Sequence, residues 1–157
     1  MRRTTLCYIE RGGAYLMLHR TKKENDANRD KWIGVGGGIE DGETPDECLL
    51  REVWEETGLT LSAYRRRGVI DFASDCWEDE EMHLYTAEIS DGALPHACAE
   101  GDLEWVAKDR ISELPIWAGD KIFLRLLQED APFFSLRLEY RGETLARALL
   151  NGAELRL

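Results

Sequence analysis

Residues 37–59 read GGIEDGETPDECLLREVWEETGL. Thr44 followed by Pro45 supplies a capping side chain and a first helical position that has no amide hydrogen to satisfy. Glu47, three residues past Thr44, completes a capping-box pattern. Cys48, Leu49, Val53 and Trp54 then recur at helical spacing, and Gly58 offers a left-handed stop. The spacing predicts an amphipathic helix with Leu49 and Trp54 in its buried stripe. Glu52, Glu55 and Glu56 fall largely off that stripe, at positions i, i+3 and i+4 of one face. Like charges so placed repel by a few tenths of a kcal/mol per pair. An acidic helix face alone is ordinarily a solvated one, but this cluster calls for a cationic partner.

Working outward, the chain reads as mixed α and β. TTLCYIE (4–10) and AYLMLHR (14–20) alternate like strands, with Arg11, Gly12 and Gly13 as the turn of a hairpin. TKKENDANRDK is a polar connection without apolar periodicity, of a length that often borders a site. WIGVGGGIEDGE is dense in glycine and predicts tight turns or close backbone approaches. It is not a dinucleotide fingerprint: counting GxGxxG from Gly34 ends on Ile39, and from Gly36 on Asp41. YRRRGVIDFAS, EMHLYTAEI and DLEWVA predict strands. WAGDKIFLRLLQED predicts a second amphipathic helix burying Ile122, Phe123, Leu126 and Leu127. FFSLRLEY and TLARALL, separated by RGE, predict a closing hairpin. Strands and two helices in this order indicate an α/β sandwich rather than a regular βαβ array.

The 157 residues suit a single domain spanning 1–157. The net charge of −11 argues against a nucleic-acid polymer as partner, since duplex phosphate needs a basic footprint. Phosphorylated small molecules stay open, because a bound divalent ion reverses the local sign of an acidic site. No run is apolar enough for a signal peptide or a bilayer span, so a cytoplasmic chain without membrane attachment is expected. Cys7, Cys48, Cys76 and Cys98 form no CxxC pair and no zinc set with the three histidines, and are expected to be reduced. His83, in a strand, is expected to be a satisfied structural histidine. The oligomeric state, monomer or homodimer, is left open.

The stretch 37–59 resembles the Nudix box: Gly, five residues, Glu, seven residues, then Arg-Glu-apolar-x-Glu-Glu-x-Gly-apolar. Gly37, Glu43, Arg51, Glu52, Val53, Glu55, Glu56, Gly58 and Leu59 fill every fixed place. The resemblance implies a Nudix α/β/α sandwich with a central mixed β-sheet, and hydrolysis of a nucleoside diphosphate linked to another group. Magnesium suits such a cluster physically, because it is a hard ion that prefers carboxylate and water oxygens and bridges to phosphates. Mg²⁺ is therefore the expected cofactor, with Mn²⁺ as a substitute.

The resemblance implies Glu52, Glu55 and Glu56 as metal ligands, with the Gly36 carbonyl beside them. Glu55 or Glu56 would double as general base. Arg51 and Glu43 would form an orienting ion pair, and the backbone of Gly37 and Gly38 would approach phosphate. The order KWIGVGG, box, GVIDF, MHLYTAE, AEGDLEW and PIWAGDKIFLRLL is similar to the branch that hydrolyses oxidised purine nucleoside triphosphates, the 8-oxo-dGTP diphosphatases. That likeness implies Glu100 as a further metal ligand, Phe72 and Trp117 as aromatic walls of a base pocket, and Asp120 on the purine edge. Asp120 also suits a helix cap. Lys22 or Lys23 is placed to approach phosphate or sugar. The animal enzyme's pattern has an asparagine at the place of Ile33, a second aspartate at that of Gly119 and a lysine at that of Gly38. Other nucleotides, ADP-ribose and dinucleotide polyphosphates among them, fit the box equally, and a non-catalytic nucleotide-sensing module is the alternative outside enzymes.

Overall fold

The computed structural model describes residues 1–22, 26–90 and 95–157. Ten strands and two α-helices follow in chain order among them: β1 (Arg2–Arg11), β2 (Ala14–Arg20), β3 (Trp32–Ile33), β4 (Val35–Gly38), α1 (Pro45–Thr57), β5 (Leu61–Ser74), β6 (Glu80–Ile89), β7 (Gly101–Ala107), α2 (Ala118–Gln128), β8 (Phe134–Arg141), β9 (Thr144–Leu150) and β10 (Ala153–Glu154). All ten strands join one mixed sheet. Its main path runs β10-β9-β8-β5-β6-β1-β2-β3, with β4 on β1 and β7 on β2. β1 runs parallel to β6 and β5 parallel to β8, while the other pairings are antiparallel.

Local chemistry explains the elements. The β1–β2 hairpin turns on Gly12 and Gly13, both at positive φ (57° and 77°), which side-chain-bearing residues rarely adopt. At α1 the Thr44 hydroxyl accepts the Glu47 N–H at 3.1 Å, and the Glu47 carboxylate accepts the Thr44 N–H at 3.0 Å. Such a cap contributes about 1 kcal/mol. Gly58, at φ 71°, ends the helix by donating to the Trp54 carbonyl.

Alternation along β1 sorts the core into two layers. Cys7 and Ile9 face α1, where Leu49 and Val53 pack with Leu16, Val35 and Tyr85. Leu6 and Tyr8 face the other way, toward Phe123, Leu124 and Leu127 of α2 and toward Leu136 and Leu138 of β8. One helix therefore covers each face of a mixed sheet, the α/β/α arrangement expected. The α2 stripe is centred on Phe123, Leu124 and Leu127, with Ile122 and Leu126 partly buried beside it.

Trp54 departs from expectation. It is 59% exposed, because the buried side of α1 is set by Cys48, Leu49, Val53, Glu56 and Thr57 and turns position 54 outward. A 3₁₀ turn over Lys108–Glu113 and the short β10 were also not foreseen. The four cysteines are free thiols. No described helix is long and apolar enough to cross a membrane.

Candidate active site

Arg51 organises the acidic face of α1. Its Nε and Nη2 donate to the two Glu43 oxygens at 2.7 and 2.9 Å, a bidentate pair. Nη1 donates to Glu52 at 2.8 Å and to Glu55 at 3.2 Å, and Nη2 also reaches the Gly38 carbonyl at 3.0 Å. These hydrogen bonds hold the Glu43 carboxyl down at about 2. One guanidinium thus pins the loop after β4 to the helix and balances three carboxylates. Glu55 is left half exposed on the outer side of Arg51.

Glycine lets β4 pass beneath the acids. A Cβ on Gly36 would lie 1.9 Å from the Thr5 carbonyl oxygen, and one on Gly37 would lie 2.5 Å from the Glu52 carboxylate. The Gly36 N–H donates to Glu56 at 3.2 Å. Glu56 is buried. Burial first, then the charges of Glu100 and Glu52, push its carboxyl well above the ordinary range, and it shares a hydrogen bond with Glu100. Burial likewise raises Glu52, against the pull of Arg51. From the β7 side, Glu100 is held by Arg20 at 2.9 Å, and Arg20 is itself braced by Asp26 at 2.8 Å. Sequence reading missed both Arg20 and Asp26, because only the fold brings them to Glu100.

A cavity of about 560 Å³ joins these groups to an aromatic end. Gly36, Gly37, Gly38, Glu52, Glu56 and Glu100 line one part of it, and Phe72, Trp117 and Asp120 another. Trp117 donates from its indole to Asn28 at 2.8 Å. Asp120 is 4% exposed, and burial first, then Glu80, raises its carboxyl to about 8 against the opposing pull of Lys31. It does not cap α2, whose N-cap is Trp117 with no side-chain bond. Tyr140 of β8, unforeseen in the sequence, also lines the cavity. Ile33 lines it too, whereas Glu43, Arg51 and Glu55 stand outside the lining. Lys23 lies outside the described residues. Lys22 turns away, donating to the Cys98 carbonyl at 3.1 Å. Tyr140 carried no signal in its own segment, since its arrival depends on β8 pairing with β5.

Among the described residues, no three His, Cys, Asp or Glu side chains close round a point as a metal cage would. The reason is visible: Arg51 draws Glu52 and Glu55 one way and Arg20 draws Glu100 another. The donor set nevertheless suits a hard divalent ion. Glu52, Glu56 and Glu100 line the same cavity, and among the described residues no cation pairs with the buried Glu56 carboxyl.

The chain resembles several known proteins. It is 30% identical over 113 residues to an oxidized purine nucleoside triphosphate hydrolase of Danio rerio, covering 71% of each chain. It is 28% identical over 111 residues to a putative 8-oxo-dGTP diphosphatase 3 of Mycobacterium tuberculosis, covering 68% of this chain and 50% of that one. Its fold superposes on a mutator MutT protein from Bacillus halodurans with a TM-score of 0.84 at 26% identity, covering 96% of this chain and 98% of that one. Residues 1–127 match the NUDIX domain. With the box complete and its Glu52 and Glu56 lining one cavity with Glu100, the chain belongs to the Nudix hydrolase family, enzymes that act on phosphoanhydride bonds.

Proposed function

We propose that the chain is a cytoplasmic, Mg²⁺-dependent nucleoside triphosphate pyrophosphohydrolase, one domain long. Its substrate is 8-oxo-dGTP or a related oxidised purine triphosphate, and its products are the monophosphate and pyrophosphate. The observation that carries this reading is the single cavity with carboxylates along one wall and Phe72, Trp117 and Asp120 along another. Its volume falls within the range of small-molecule sites. The names borne by the relatives from Danio rerio and Mycobacterium tuberculosis support the same substrate class.

Glu52, Glu56 and Glu100, with the Gly36 carbonyl, would hold the ion, and Glu55 would join them by leaving Arg51. A divalent cation bound there supplies Lewis-acid activation of water and neutralises phosphate charge. Glu56 lines the cavity and, once ionised beside a bound cation, would accept the proton of the attacking water. Arg51 and Glu43 orient the loop and helix without touching substrate. The bare backbone at Gly37 and Gly38 admits the phosphate chain close to the acids. Phe72 and Trp117 grip the base, each aromatic face contributing roughly 1–3 kcal/mol by stacking. Asp120, neutral below about 8, donates a hydrogen bond to the purine edge and accepts one when ionised.

The test is a substrate panel of 8-oxo-dGTP, dGTP, ADP-ribose and diadenosine polyphosphates, with kcat/KM measured with and without Mg²⁺. The highest value for 8-oxo-dGTP, lost without metal, is expected. A preference for ADP-ribose or a dinucleotide would replace the substrate assignment. Tight nucleotide binding without pyrophosphate release would replace the enzyme with a sensor.

A further inference from the structure

Tyr140 enters the cavity from β8, beyond the residues 1–127 that match the family domain. Its ring stands edge-on to Trp117 with centroids 5.2 Å apart, and lies at 25° to Phe72 at 6.4 Å. These three rings close the aromatic end. The Tyr140 hydroxyl oxygen accepts the Gly119 N–H at 2.7 Å. That bond uses the phenol oxygen as acceptor, and among the described residues the O–H donates to no side chain or backbone group. A Cβ on residue 119 would stand 2.6 Å from this oxygen and 2.5 Å from Leu138 Cδ1. The first turn of α2 is therefore bare where the hydroxyl sits, and Gly119 and Tyr140 work as one unit. Burial first, then the Asp120 charge, raises the phenol further, so it keeps its proton throughout the working range of pH.

We propose that the Tyr140 hydroxyl is a base-reading donor, selecting nucleotides whose purine presents a carbonyl oxygen to the end of the cavity closed by Phe72, Trp117 and Tyr140. The proposal rests on the purine triphosphate reading above and adds the group that discriminates among purines. A 6-oxo purine accepts the tyrosine proton. A 6-amino purine turns N–H toward O–H, leaving two donors face to face without an acceptor. The Gly119 bond holds the hydroxyl in place, so it meets an incoming base from a fixed position.

The experiment measures kcat/KM of wild type and Tyr140→Phe with dGTP, 8-oxo-dGTP, dITP and dATP, in Mg²⁺. The variant is expected to lose about tenfold on the three 6-oxo nucleotides, the equivalent of one hydrogen bond, and to lose nothing or gain on dATP, where the opposed donor is gone. Phenylalanine also leaves the Gly119 N–H without its acceptor, so a uniform fall across all four substrates reports only structural damage. That outcome, or an unchanged 6-oxo to 6-amino ratio, overturns the proposal and leaves the triphosphatase reading standing. Absence of wild-type turnover on all four overturns both. A second measurement needs no variant: wild type is expected to prefer dITP about tenfold over the triphosphate of purine deoxyriboside, which lacks the 6-oxygen. Equal kcat/KM for that pair also overturns the proposal.

Discussion

Asp120 and Glu56 are acids of the same cavity raised by the same cause, and they predict different behaviour. A folded Asp120 near 8 keeps a proton that the unfolded chain releases above about 4. The folded state binds more protons across that window, so stability is greatest below it and falls as pH rises through it. The slope approaches about 1.4 kcal/mol per pH unit at most. Asp120→Asn removes the slope, and melting temperatures of wild type minus variant at pH 5, 7 and 9 should decline steadily. A flat difference contradicts the buried, protonated carboxyl. Glu56→Gln keeps shape and the neutral form that burial already favours, so it should fold with a melting temperature close to wild type. Its kcat should fall at least about 10²-fold, the usual loss on removing a general base. Full activity would remove Glu56 from the chemistry.

The helix α1 and its leading loop were the parts most fully legible, because their determinants are local. Thr44, Glu47 and Gly58 act within a turn or two, and the structure shows each doing so. Thr44→Ala should cost about 1 kcal/mol in urea unfolding while kcat changes less than twofold, since the cap lies away from the cavity. Arg51 is different. Lysine offers one point charge where the guanidinium reaches Glu43 through two nitrogens and Glu52 and Glu55 through a third. Arg51→Lys should lower kcat at least tenfold with a smaller effect on KM, because the acids are misaligned rather than removed. Equal kcat in variant and wild type would show that the fork has no positioning role. Helical periodicity identified the buried side of α1 but misassigned Trp54, since a stripe one residue wider includes it and the actual packing does not. Arg20 and Tyr140 were illegible for a stronger reason: their partners Glu100 and Gly119 lie 80 and 21 residues away and meet them only in the folded chain, while Asp26 joins the site through Arg20, six residues back.

At the scale of the molecule, the sheet ties the far end of the chain to its middle. β8 lies between β5 and β9, and Phe134, Leu136 and Leu138 are almost wholly buried against α2 and β5. Each such side chain contributes about 1.5–3 kcal/mol, so together they rival the whole stability of an ordinary domain. A chain ending at residue 132 should therefore show no cooperative unfolding transition by circular dichroism, although it retains every box residue. Retained cooperativity would show that the segment matching the family suffices alone. Mg²⁺ should raise the melting temperature of the full chain, and less so that of Glu56→Gln, because an ion that binds only the native state shifts unfolding by mass action. The parallel seam between β5 and β8 also has a consequence for biosynthesis. While a ribosome is still extending the chain toward residue 141, β5 has its β6 neighbour but an open border on the other side. Until the last strands emerge, the nascent protein carries an unpaired, sticky margin, and its escape from aggregation depends on how quickly translation finishes.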